Sequence, residues 1–135
     1  MLQRAFSTLE LKAVDDDQRV IEGIASTIET DRMGDIVEPS GATFKLPIPL
    51  LWQHSSREPI GEVFEAKVGK NAITIKARFA KVDEPGKLKD RLDEAWQSVK
   101  HKLVRGLSIG FDSIEHSRID GTFGLRFIKW EWLEL

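Results

Sequence analysis

Two strand-like segments joined by a short connection decide the fold of this chain: Gly61–Val68 (GEVFEAKV), Gly69-Lys70-Asn71 and Ala72–Ala80 (AITIKARFA). Runs of this length around a turn that contains glycine are typical of a β-hairpin. A final strand is predicted over 123–135, and Asp120-Gly121 directly before it marks a second hairpin turn. Outward from the first hairpin, the sequence therefore predicts mostly antiparallel β-structure.

One segment, at about 85–103, has the period of a helix instead. Pro85 suits the first turn of a helix, and the cations of the Lys100-His101-Lys102 run suit its last turn. The residues that recur there at three- and four-residue steps are Leu88, Leu92, Ala95, Trp96, Val99 and Leu103. We therefore predict one main amphipathic helix in an otherwise β chain.

Strand alternation returns directly after that helix. Leu107, Ile109 and Phe111 occupy one face of the predicted strand and Ser108 the other. A long polar segment, from about 29 to 45, reads as a loop because it is rich in aspartate, glycine and proline. The predicted class is mainly β with helix (α+β), in the form of a small antiparallel β-barrel.

Length and composition set limits on the function. A chain of 135 residues forms one domain, 1–135, with a sizeable core. The net charge of −2 gives no electrostatic footprint for nucleic acid. No apolar run approaches the roughly 20 residues that span a membrane. We therefore expect neither a nucleic-acid partner nor a membrane partner.

Because the chain has no cysteine, a serine and a histidine are the candidates for a nucleophile and its base. Ser108 lies between Gly106 and Gly110, and His54 ends the apolar run Leu50–Gln53. A serine becomes nucleophilic when a base takes its proton, and histidine suits that task near neutral pH. The structural alternative for Ser108 is a small residue on the outer face of a strand. The structural alternative for His54 is a histidine whose ring forms a hydrogen bond with a backbone group.

Two other histidines compete for the role of base. His101 lies between two lysines at the predicted helix end, and His116 lies in the polar run Glu115–Arg118. Both patterns favour solvated side chains, so His54 is the preferred base.

Four stretches of this sequence together resemble one family, the prohead maturation proteases of tailed bacteriophages. These are serine proteases related in fold to the herpesvirus capsid-assembly proteases, and the family fold is a β-barrel with surrounding helices. The resemblance runs from near residue 30 to the end of the chain. The stretches are Thr30–Val37 with Gly41–Phe44, Leu51–His54 with Pro59–Gly61, Gly106–Phe111, and Trp132–Leu135.

The resemblance implies a catalytic set of Ser108 as nucleophile, His54 as base and Glu134 as the carboxylate that orients the histidine. Herpesvirus relatives use a second histidine in that third position, whereas the phage enzymes use a carboxylate. Glu131 would point to the opposite face of the same strand. Strict alternation predicts that Trp130 and Trp132 share the face of Glu134.

The implied function is a serine endopeptidase that cleaves scaffold and capsid proteins, and itself, during procapsid maturation. The implied location is the host cytoplasm, inside the assembling procapsid, and a homo-oligomer is left open. The family's chain continues beyond the glutamate, so the domain reads as truncated at Leu135. We expect Glu134 on such an end to be loosely held and this form to be weakly active or inactive.

Two other functions compete with the protease. The first is a catalytically silent β-barrel module that acts in capsid assembly or scaffolding. The second is a hydrolase of small esters, which is disfavoured because Ser108 lies within strand alternation rather than on a strand-to-helix turn.

Aspartates raise the alternative of a metal site. Asp31 and Asp35 form one group, and Asp15-Asp16-Asp17 forms another. Neither group has the ligand spacing of a calcium loop, so a turn or a solvated loop is predicted for both. We predict no metal and no cofactor.

Overall fold

The computed structural model describes residues 2–7, 11–30, 34–104 and 107–135; for residues 2–7, 11–14, 107 and 108 it describes the backbone alone. Within these residues the chain forms ten strands and one α-helix. The helix is α1 (Lys87–Lys100). The strands are β1 (Leu2–Ser7), β2 (Leu11–Asp15), β3 (Val20–Thr27), β4 (Ile36–Val37), β5 (Ala42–Thr43), β6 (Ile48–Leu51), β7 (Pro59–Val68), β8 (Ala72–Phe79), β9 (Leu107–Arg118) and β10 (Leu125–Glu134).

The strands form two five-stranded sheets. The first has the order β1-β9-β10-β4, with β5 also paired to β10, and the second has the order β2-β3-β8-β7-β6. The pairing is antiparallel except where β4 and β5 lie parallel to β10. The predicted hairpins at Gly69–Asn71 and Asp120-Gly121 connect β7 to β8 and β9 to β10. The mainly β class with one helix is therefore confirmed.

The two sheets are joined along one seam, where the end of β10 meets β6. The Leu51 N–H donates to the Leu135 carbonyl (2.8 Å), and the Leu135 N–H donates to the Pro49 carbonyl (3.1 Å). This alternation of bonds is that of parallel strands. Because the seam continues the hydrogen bonding from one sheet into the other, the two sheets are joined on this side, and the predicted barrel stays a prediction. The seam also fixes the segment after β6 next to the end of β10.

The segment predicted as a polar loop from about 29 to 45 contains ordered structure that the sequence did not reveal. A strap runs alongside β10 and consists of β4, a 3-10 turn at Pro39–Gly41 and β5. The Trp130 indole N–H donates to the Glu38 carbonyl (2.8 Å). A Cβ at Gly41 would lie 1.8 Å from the Ile128 carbonyl oxygen, so only glycine permits this approach.

The helix predicted at about 85–103 is confirmed, and in the structure it is shorter at both ends, Lys87–Lys100. Its buried residues, Leu92, Ala95, Trp96 and Val99, join the core. Leu88 and Leu103 belong to the same sequence period but are 46% and 80% exposed. They lie at or beyond the ends of the helix, where the sheets no longer cover its apolar face.

The core fills the space between the two sheets and the helix. Trp130 is completely buried and packs edge-on against Phe111, with ring centroids 5.4 Å apart. Trp96 packs in the same way on Phe79 at 5.5 Å. These aromatic contacts hold β9, β10, β8 and α1 in fixed positions, which is what a precise site requires.

Candidate functional site

His54 lies in a tight turn between β6 and β7. Three backbone hydrogen bonds of 3.0 Å close the turn: Ser55 N–H to the Trp52 carbonyl, Glu58 N–H to the Ser55 carbonyl, and Trp52 N–H to the Glu58 carbonyl. The turn therefore holds the histidine backbone from both sides. The predicted position after an apolar edge strand is confirmed.

The backbone of this turn is left-handed at two consecutive residues. Gln53 has φ 51° and His54 has φ 60°. Residues other than glycine seldom adopt positive φ, and such conformations persist where the surrounding structure enforces them. They are enriched at functional sites, although Arg19 (φ 54°) and Lys102 (φ 62°) have positive φ as well.

Glu134 lies at the end of β10 and is buried, with 6% exposure. The Trp132 indole N–H donates to the Glu134 carbonyl (2.9 Å), and the neighbouring Leu135 is fixed by the two seam bonds. The expectation that Glu134 would be loosely held is therefore wrong. The seam between the sheets, which sequence patterns do not reveal, supplies the missing support.

The side chains of His54 and Glu134 meet. His54 Nδ1 lies 3.0 Å from Glu134 Oε1 and 3.1 Å from Oε2. An ionised carboxylate only accepts hydrogen bonds, so Nδ1 carries the proton and donates it. In a neutral ring this leaves Nε2 as the basic nitrogen, which is the tautomer that a general base needs.

The register of β10 against β9 relates this pair to Ser108. Trp132 pairs with Phe111 but Glu134 pairs with Gly110, so an extra residue on β10 forms a bulge between them. The bulge sets Glu134 opposite Gly110 rather than opposite Ile109. Trp130, Trp132 and Glu134 are all buried and Glu131 is exposed, which is the alternation predicted for 130–134. Position 108 is two residues from Gly110 along β9, on the same face by alternation.

The backbone at Ser108 is therefore a diagonal neighbour of Glu134. Diagonal positions in an antiparallel pair lie about 7–8 Å apart. On the side of β9 away from β10, Ser108 pairs with Phe6 of β1. The Ser108 side chain and the whole of Gly106 lie outside the described residues, as does the Ser108 Oγ to His54 distance.

The competing side chains lie elsewhere. His101 is exposed at the end of α1, and His116 is exposed, with its Nδ1 3.1 Å from Ser113 Oγ. Glu131 is exposed on the opposite side of β10 from the buried tryptophans, as predicted. Of the histidines and glutamates weighed from sequence, the structure brings His54 and Glu134 together.

The aspartates proposed as an alternative metal site have structural contacts. Asp35 Oδ1 accepts from the Leu125 N–H (2.9 Å) and so fixes the start of the strap to β10. Asp15 Oδ1 accepts from the Gln18 N–H (3.0 Å) within its turn. Asp31 lies outside the described residues. No group of three or more histidine and carboxylate side chains in the described part of the chain could hold a metal ion.

Two further aspartates fasten the helix to the sheets. The Lys100 ammonium and the Trp96 indole N–H donate to Asp16 at 2.9 and 2.8 Å, and they lower the pKa of that carboxyl. Lys89 and Arg19 donate to Asp93 and lower its pKa in the same way. Asp16 is thus held in its charged form by donors from α1, and Asp93 by Lys89 of its own helix and by Arg19 from the turn between β2 and β3.

Comparison with known proteins gives one informative relationship. The chain is 64% identical over 132 residues to the capsid polyprotein of Pseudomonas phage PAJU2. The match covers 98% of this chain and 20% of the relative, so the chain spans about a fifth of that protein's length. The chain is therefore related to a phage capsid protein, which agrees with the coarser part of the resemblance drawn from sequence.

Two other comparisons add nothing. No protein-family model matches the chain, and no solved structure matches it. Among the described residues, α1 is too short and too polar to be a membrane-spanning helix.

Proposed function

We propose that this protein is a serine endopeptidase that acts in the maturation of a phage capsid. The observation that carries the proposal is the pair formed by His54 Nδ1 and the buried Glu134 carboxylate, 3.0 and 3.1 Å apart. A buried carboxylate that orients a histidine on a rigid seam is the base half of a serine-protease triad. Glu134 pairs with Gly110, two residues from Ser108 along β9, and this register supports Ser108 as the third member.

The proposed mechanism assigns one role to each residue. Ser108 Oγ attacks the carbon of the scissile carbonyl while His54 Nε2 takes the hydroxyl proton. The imidazolium that forms is stabilised by Glu134, and it returns the proton to the leaving amine. Water then attacks the acyl-enzyme by the same route and releases the second product. Backbone N–H groups stabilise the oxyanion in both halves of the reaction.

The relative's name supports the proposed setting. A polyprotein is a precursor from which separate products are cut, and a protease domain in one part of such a precursor would supply the cut. The proposed substrates are therefore scaffold and capsid portions of that precursor and the protease itself. The proposed location is the host cytoplasm, inside the assembling procapsid, with several copies of the chain close together.

A second candidate function is a catalytically silent β module of a capsid precursor. The match to a protein named only for the capsid favours it. The two functions differ in one property, because only a working triad makes a serine reactive.

Labelling with a fluorophosphonate probe tests the proposal. Wild-type protein should label at Ser108, and Ser108→Ala and His54→Ala should not label. Ser113→Ala is the matched control, because Ser113 also contacts a histidine, His116, but in an exposed pair. A folded wild-type protein that does not label would favour the silent module. Labelling that persists in Ser108→Ala would assign the nucleophile to another residue.

A further inference from the structure

A groove lies between α1 and the first part of β7, separate from the pair formed by His54 and Glu134. Its volume is about 360 Å³, and its apolar lining includes Ile60, Val82 and Leu88. This volume lies in the range of about 300–1,000 Å³ that binding sites for small groups occupy. β6 lies between β7 and the β10 seam, so the groove is on the surface beside the proposed catalytic site rather than in it.

Two arginines line the groove, and in the described part of the chain neither has a carboxylate within 4 Å. Arg91 donates from Nη2 to the Pro59 carbonyl (3.2 Å), while its Nε is buried and has no hydrogen-bond partner. The Arg78 guanidinium lies over the Phe64 ring, 4.7 Å from its centroid. Arg19 and Arg126 are each paired with a carboxylate, although Arg19 Nη1 is also buried without a hydrogen-bond partner.

A buried donor without a partner is costly and calls for an explanation. One lining residue, Glu62, carries a negative charge against the two guanidinium groups, so the groove has a net positive charge. Arginine is suited to bind carboxylates in a planar, two-pronged manner. The occupant that completes the groove therefore brings both an apolar side chain and a carboxylate.

We propose that this groove is a docking site for an acidic peptide segment with a leucine-like anchor, in a partner protein. The anchor packs against Val82 and Leu88, and the adjacent carboxylate pairs with the guanidinium groups of Arg78 and Arg91 that line the groove. If the proposed protease activity holds, the groove is an exosite that captures substrate away from the cleavage point. The binding itself does not depend on that activity.

Fluorescence polarisation with Ser108→Ala protein tests the docking without catalysis. The probe is a fluorescein-labelled peptide of alternating leucine and glutamate, and the comparison is the same peptide with lysine in place of glutamate. We expect binding of the acidic peptide alone, weakened at least about tenfold by Arg91→Ala. Arg118→Ala, at an exposed arginine on β9, is the matched control and should have no effect.

Leu88 supplies variants that keep the fold, because it is 46% exposed in the first turn of α1. Leu88→Glu should abolish binding of the acidic peptide by repulsion. Leu88→Lys should weaken binding less, because it loses apolar contact but adds a charge that attracts the carboxylate. Equal binding of both peptides, or equal affinity of Arg91→Ala and wild type, would overturn the proposal. So would amide chemical-shift changes on binding that map away from residues 59–62 and 88–92.

Kinetics separates this proposal from the proposed function. If wild-type protein cleaves a substrate that carries the acidic segment, Arg91→Ala should raise KM and leave kcat unchanged. A chain that binds the peptide but cleaves nothing would retain the docking site and reject the protease. A chain that cleaves with an unchanged KM in Arg91→Ala would retain the protease and reject the docking site.

Discussion

Replacing Glu134 by glutamine is the sharpest test of the proposed triad. Glutamine has nearly the same shape, and Glu134 is only 6% exposed, so the backbone bonds of the seam should remain. What changes is the group facing His54 Nδ1, 3.0 and 3.1 Å from the two carboxylate oxygens. An amide can present its NH₂ group to Nδ1, which forces the ring proton onto Nε2.

A histidine with its proton on Nε2 cannot accept the proton of a serine. The negative charge that stabilises the imidazolium is also lost. The equivalent change in serine proteases lowers kcat about 10⁴-fold. At 1.36 kcal/mol for each factor of ten, this corresponds to about 5 kcal/mol of transition-state stabilisation.

The assay is a peptidase measurement on purified variants, combined with thermal unfolding to show that each is folded. We expect Glu134→Gln to lose about three to four orders of magnitude in kcat with little change in KM. Glu131→Gln is the matched control, because Glu131 lies three residues earlier on the same strand and is exposed. Activity of Glu134→Gln within tenfold of wild type, or an equal loss in Glu131→Gln, would remove Glu134 from the mechanism.

Three further predictions test the structure around the site. Gly41→Ala should lower the free energy of unfolding by about 3 kcal/mol or more, because its Cβ would lie 1.8 Å from the Ile128 carbonyl oxygen. A denaturation midpoint equal to that of wild type would refute the close approach of the strap to β10. Gln53→Val should lower the free energy of unfolding by about 1–2 kcal/mol, because a β-branched residue disfavours the φ of 51°. Gln53→Gly should not lower it. Equal melting temperatures for the two variants would argue against a left-handed turn. Lys89 lowers the pKa of Asp93 in the folded protein. Asp93 therefore stabilises the fold fully at pH values above about 4, the pKa of an unfolded aspartate. This stabilisation is lost as the pH falls through the lower folded pKa. The deficit of Asp93→Asn in unfolding free energy should therefore be constant near neutral pH and shrink in acid, and a deficit that is the same at pH 3 and pH 7 would contradict the contact.

The sequence by itself determined the elements that depend on local patterns. The hairpin around Gly69–Asn71 follows from residues adjacent in the chain, and so does the helix, because its buried positions recur within a few turns. The choice of His54 over His101 and His116 also came from local context, since only His54 follows an apolar strand. These features are set by short-range preferences and by which side chains avoid water.

Tertiary structure alone decided what surrounds those elements. The strap from β4 to β5 is ordered by β10 and by the close approach of Gly41, neither of which leaves a periodic signal. The contact between His54 and Glu134 joins residues 80 positions apart through the seam at Leu135. The bulge before Glu134 sets that residue opposite Gly110 of β9, two residues from Ser108. Such pairings depend on hydrogen bonds between distant segments, whereas sequence periodicity reports only which face of each segment is buried.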